Sequence, residues 1–84
     1  LAVRMDVSDW ASVRDGVAQV LDAMGHVDIL VNSAGIMHVG RLHETDPDDF
    51  DRIQSVNCRG AFLTCRALID SMRARRRGNI INIA

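Results

Sequence analysis

The stretch Asp28-Ile29-Leu30-Val31-Asn32-Ser33-Ala34-Gly35-Ile36 decides how the rest of the chain is read. An apolar run enters a packed interior and then gives way to four short residues, Asn32, Ser33, Ala34 and Gly35. Two of them carry hydrogen-bonding side chains, and none is bulky. An open parallel sheet needs such a change where a strand's carboxyl end meets a ligand, because backbone must come close to what it binds. The unbroken apolar character of Val27–Val31 predicts a strand covered on both faces.

Working outward, elements of alternating type flank this strand. Leu1–Val7 is a short apolar run ending in Asp6-Val7, and it reads as a first strand. Ser8 or Asp9 supplies an N-cap oxygen for a helix over about 9–24, whose Val13, Val17, Val20, Leu21 and Met24 make one stripe. Gly16 within it marks either close packing or a weak spot, and Gly25 suits the left-handed residue past the helix end. Ile36–Thr45 reads as a loop. Asp46 then caps a long helix with Pro47 in its first position and Asp48 and Asp49 in its first turn, where acids complement the dipole.

That helix is expected to run to about Arg75 and to be ended by Gly78. Phe50, Ile53, Asn57, Gly60, Thr64 and Ala67 fall on one stripe, while Val56, Leu63, Ile69 and Met72 widen the apolar surface toward a second buried face. Asn79–Ala84 starts a third strand. The β-α-β-α-β order predicts an α/β fold, a doubly wound parallel sheet with right-handed crossovers.

Composition narrows the choice. The chain has 84 residues, 48% of them hydrophobic, with a formal net charge of −1, which bounds it at one domain and argues against nucleic acid or anionic membrane as partner. No apolar stretch approaches the roughly 20 residues of a membrane span, and no leader is apparent. The chain starts and stops within apolar runs, so it is expected to be an internal piece of a longer protein. Cys58 and Cys65, roughly 10 Å apart along one helix, lie beyond disulfide reach. A reducing, cytoplasmic setting is expected, with no metal site.

Asn57 is the sharpest single clue. An amide on an inward stripe needs partners, since burying it unpaired costs a few kcal/mol. It either holds a water or backbone group in a proton path or ties neighbouring backbone. Asn32–Gly35 can cradle a sugar or phosphate-linked group, or tie two strands together. Asp6 either accepts from a ligand amino group or is a plain turn acid. His26, His38 and His43 lack metal-like spacing and read as exposed, the arginines from Arg73 to Arg77 as a solvated helix end, and Trp10 as a packing anchor.

Four features taken together resemble the short-chain dehydrogenase/reductase family. They are Asp6-Val7 after a strand, Val31-Asn32-Ser33-Ala34-Gly35, Val56-Asn57-Cys58-Arg59-Gly60, and Gly78-Asn79-Ile80-Ile81-Asn82-Ile83. The resemblance covers residues 1–84 as the central part of a single NAD(P)-binding Rossmann-type domain. It implies that Asp6 meets the adenine amino group, that Val7 lies beside the adenine ring, and that Asn32, Ala34 and Gly35 line the cofactor, NAD or NADP. It also implies that Asn57 anchors a water in an Asn-Ser-Tyr-Lys proton relay. The helix over 47–75 would pack in a homodimer or homotetramer. Ser33 stands where the family usually has a second asparagine.

The family's glycine-rich phosphate turn is expected before Leu1 and its catalytic tyrosine beyond Ala84, because the chain contains no tyrosine. The activity implied is interconversion of an alcohol and a ketone, with 3-oxoacyl reduction as a subtype. Two other readings remain open: a non-catalytic module of the same origin that oligomerises or regulates through helix 47–75, and another doubly wound nucleotide binder without redox chemistry.

Overall fold

Asp9 opens the first regular element. Its carboxylate accepts from Ser12 N–H at the N-cap of helix α1, Trp10–Met24, and Gly25 closes the helix at φ 82° with its N–H bonded to Leu21 O. A computed structural model describes residues 1–84. The elements that follow are strand β1, Ile29–Asn32, a 3₁₀ turn Leu42–Glu44, helix α2, Pro47–Gln54, a π-turn Ser55–Arg59, helix α3, Gly60–Arg75, and strand β2, Asn79–Asn82.

β1 and β2 pair in parallel, Ile29 with Asn79 through Asn32 with Asn82, so both strands end on the same side of the molecule. The intervening helical run crosses back over the sheet, as a parallel pair demands. α1 and α3 pack against each other on one face of the sheet. Val13, Val17, Leu63, Leu68 and Met72 form the core between them, with Leu30 and Ile80 reaching it from the strands. No helix is long and apolar enough to cross a membrane.

Three expectations need correction. Leu1–Val7 belongs to no strand ladder, although Val3 and Met5 still turn alternate side chains onto α1 at Gly16. The family resemblance makes this run the third strand and β1 the fourth of a doubly wound sheet ordered 3-2-1-4-5-6, and in that order the two are not neighbours. Second, β1 is covered on one face only. Ile29 and Val31 are about half exposed, as is Ile81 on β2, because both helices lie on the other face. Third, the helix over 47–75 is not uniformly α: the π-turn interrupts it at Ser55–Arg59.

The end of α3 also differs in detail. Arg76, at φ 52°, takes the left-handed cap position, and Arg77 N–H bonds Met72 O. Gly78 follows because a Cβ there would stand 2.6 Å from Met72 Cγ. Gly16 resolves as a close-packing residue, since a Cβ at that point would collide with the Met5 side chain.

Candidate functional site

The parallel strands deliver Asn32 and Asn82 side by side at their carboxyl ends, and the chain folds three further segments around them. The result is a cleft of about 300 Å³, lined among others by Val7, Asn32, Ala34, Asn57, Gly60 and Asn82. Ligands of open α/β sheets bind outside the carboxyl ends of the strands, and the cleft has that location.

Gly60 sets how close the helical run comes to the first segment. A Cβ on it would lie 2.8 Å from Val7 Cγ2 and 3.3 Å from Val7 O, so only glycine allows this approach. Immediately before it lies the π-turn, in which Gly60 N–H reaches back five residues to Ser55 O. Single π-turns inside α-helices recur at functional sites, because the extra residue re-aims the side chains it carries. Here the residue at its centre is Asn57.

The Asn57 amide is held at both ends by one residue. Its Oδ1 accepts from Ile36 N–H at 2.8 Å and its Nδ2 donates to Ile36 O at 2.8 Å. The bracket clamps the chain just beyond Gly35 to the π-turn. A Cβ on Gly35 would come 3.4 Å from Asn57 Oδ1, so the two approach closely. Of the alternatives open from sequence, the side chain ties backbone, in the wall of the cleft, and Asn57 is exposed there rather than buried on an inward stripe as expected, because the π-turn carries it to the rim.

Asn32 is the centre of a second polar cluster. Its Nδ2 donates to Asn82 Oδ1 at 2.9 Å and lies 3.5 Å from Cys65 Sγ, while its Oδ1 accepts from the Thr64 hydroxyl at 2.5 Å. The Asn32 side chain therefore ties two strands to α3, and the exposed residues Ser33, Ala34 and Gly35 follow it, with Ala34 in the cleft lining. Thr64 and Asn82 were not singled out from the sequence. A threonine within the stripe that also holds Asn57 and Gly60 was the available signal for the first.

Asp6 stands just outside this lining. Its Oδ1 accepts from Ser8 N–H at 3.0 Å and from the Ser8 hydroxyl at 2.7 Å, leaving Oδ2 without a partner in the chain. These Ser8 bonds, side chain first and then backbone, hold the carboxyl below its ordinary value. Asp6 N–H in turn donates to Ser12 Oγ, which fixes the turn into α1. Asn32, Ala34, Asn57 and Val7 thus share one cleft, with Asp6 and Gly35 beside it. The loop histidines His38 and His43 are exposed and take no part, and no group of three His, Cys, Asp or Glu could hold a metal.

Comparison with known proteins shows the family. The family model for short chain dehydrogenase matches residues 1–84. The 2-(R)-hydroxypropyl-CoM dehydrogenase of Xanthobacter autotrophicus is 42% identical over 100% of this chain and 35% of its own length. The 3-oxoacyl-[acyl-carrier-protein] reductase of Chlamydia pneumoniae is 40% identical over 96% of this chain and 33% of its own length. Among solved structures, the 3-ketoacyl-(acyl-carrier-protein) reductase of Brucella melitensis complexed with NADH superimposes with a TM-score of 0.92 at 42% identity, covering 100% of this chain and 37% of that one. This chain spans about a third of the length of the curated relatives it matches. With the family model matching throughout and relatives of this identity, the chain belongs to the short-chain dehydrogenase family.

Proposed function

We propose that the protein carrying this chain is an NAD(P)-dependent oxidoreductase that interconverts an alcohol and a ketone, and that residues 1–84 form the central part of its single Rossmann-type domain. The observation that carries the reading is the Asn57 bracket on Ile36, which draws the π-turn and the Asn32–Gly35 segment into one wall.

The residues present fit a dinucleotide. Ala34 and Gly35 carry at most a methyl group and are exposed, so backbone is open to close approach along the cleft. Asp6 Oδ2 is an ionised acceptor without a partner, suited to an amino group on a base. Val7 offers an apolar edge beside it. When bound, the nicotinamide cofactor supplies the hydride donor or acceptor. Asn32, Ala34 and Gly35 orient it. Asn57, its side chain spent on Ile36, holds the π-turn in the shape from which it supports a proton relay.

The substrate is a small-molecule alcohol or ketone, with 3-oxoacyl compounds as the subtype favoured by the reductases this chain is similar to. Exposed Phe50, Phe62 and Ile69 on the helical run favour association into a homodimer or homotetramer through residues 47–75. Two free thiols, Cys58 and Cys65, suit a reducing, cytoplasmic compartment.

The test is titration of the intact protein with NADH and NADPH, followed by fluorescence. Saturable binding of one of them, with turnover of a secondary alcohol or ketone, is the expected result. Binding of neither would overturn the reading.

A further inference from the structure

The Thr64 hydroxyl carries one proton, and three oxygens surround it. Gly60 O lies at 3.2 Å and Ala61 O at 3.1 Å, both on its own helix, while Asn32 Oδ1 lies at 2.5 Å from the end of β1. The shortest contact takes the proton, so Thr64 departs from the back-bonding to its own helix that a mid-helix threonine otherwise adopts. Thr64 is buried, and no buried side-chain nitrogen or oxygen in the chain lacks a partner.

One donor then determines the orientation of two amides. With Oδ1 of Asn32 held by the hydroxyl, its Nδ2 must face Asn82 Oδ1, which closes the two strand ends onto each other. A reversed Asn32 would set its Oδ1 against Asn82 Oδ1, oxygen to oxygen. Neither strand carries this information in its ladder, because the last backbone bond of the pair joins Ile83 N–H to Asn32 O and leaves both side chains free to turn.

We propose that Thr64 is a positioning residue for the dinucleotide cleft. It sits behind the cleft wall, outside the lining, and acts through Asn32, whose amide it locks and whose backbone leads directly into Ala34 and Gly35. This inference rests on the dinucleotide reading above. It assigns to the helix, rather than to the strands, the control of how the exposed backbone of residues 33–35 is presented.

The test uses the intact protein with Thr64→Val, which keeps the shape and removes the donor, and Thr64→Ser, which restores the hydroxyl. T64V is expected to raise the dissociation constant for the preferred nicotinamide dinucleotide about tenfold, or about 1.4 kcal/mol, and KM for it in parallel, with kcat within about twofold. T64S should return both constants to within about threefold of the parent. Arg66→Ala, on the same helix but facing Trp10 rather than this amide, should leave binding within about twofold. Where T64V does not fold, Thr64→Ala carries the same expectation.

A T64V protein with a lowered melting temperature and an unchanged dissociation constant would overturn the inference, as would failure of T64S to rescue or an equal loss in R66A. Failure of the dinucleotide reading is distinct, since the unsubstituted protein would then bind neither NADH nor NADPH.

Discussion

The two ends of the sheet are held by different chemistry. At the carboxyl ends of the strands, neutral amides and one hydroxyl lock segments together: Asn57 on Ile36, and Asn32 with Asn82 and Thr64. At the opposite end, Asp28 is met by Arg75 at 3.1 Å and by His26 at 3.3 Å, in side chains that are one-third to one-half exposed. Exposed ion pairs are screened and give little stability or geometric control. Paired amides have fixed donor and acceptor ends, so each specifies an orientation as well as a distance. The contrast separates an end where shape matters from one that only has to stay closed.

Substitutions sharpen the contrast in descending order of effect. Asn57→Leu removes both bonds to Ile36 and frees the loop from the π-turn. In the intact protein kcat/KM is expected to fall about 10²-fold, the order of loss that accompanies a misplacement of about 1 Å, and steady-state kinetics check it. Gly60→Val drives a side chain into Val7. Overpacking of this kind costs about 1–3 kcal/mol, read from the denaturant midpoint, with weaker dinucleotide binding because Val7 lines the cleft.

Arg66 stacks over Trp10 with its guanidinium carbon 4.5 Å from the ring centroid, away from the cleft. Arg66→Ala is expected to lose about 0.5–1 kcal/mol of stability and to leave dinucleotide affinity unchanged. A changed affinity would mean that packing of α1 on α3 also sets the cleft.

The smallest effect belongs to Asp28→Asn. The Arg75 hydrogen bond holds the Asp28 carboxyl below its ordinary value of 3.8, with lesser attraction from His26, Arg75 and Arg77. A carboxyl depressed in the folded state contributes stability above its unfolded value and loses it as pH falls through the folded one. The parent should therefore exceed D28N slightly in melting temperature at pH 7, and the gap should close below pH 3.8. A gap that widens on acidification would contradict the assignment.

Much of this was legible in the sequence where a local signal has one physical meaning. Asp9 and Asp46 cap as expected, Pro47 opens its helix, and Gly25 adopts positive φ. The β1 run is offset by one or two residues from 27–31, which apolar content alone cannot resolve because burial continues past the ladder. Asn57 stood out because an amide on an inward stripe demands partners; it proves exposed rather than inward, yet its amide still takes two bonds, both to Ile36.

What escaped the reading depended on elements distant in sequence. A strand exists only by pairing, so the apolar, alternating run Leu1–Val7 gave no sign of whether a neighbour lay beside it. The π-turn was hidden because the 3-4-3-4-3 spacing around Asn57 is also what an uninterrupted α-helix shows. Its cost appears at Phe50, which shares the stripe yet is more than half exposed on the far side of the turn. Thr64 and Asn82 were missed since their partner, Asn32, lies 32 and 50 residues away.

The most direct test is a crystal structure of the intact protein with its preferred nicotinamide dinucleotide. The expected result has the dinucleotide running along the exposed backbone of residues 33–35, its base within hydrogen-bond reach of Asp6 and its nicotinamide end approaching the Asn57 turn. A dinucleotide seated away from the carboxyl ends of β1 and β2, or an Asn57 amide released from Ile36 in that complex, would contradict the account.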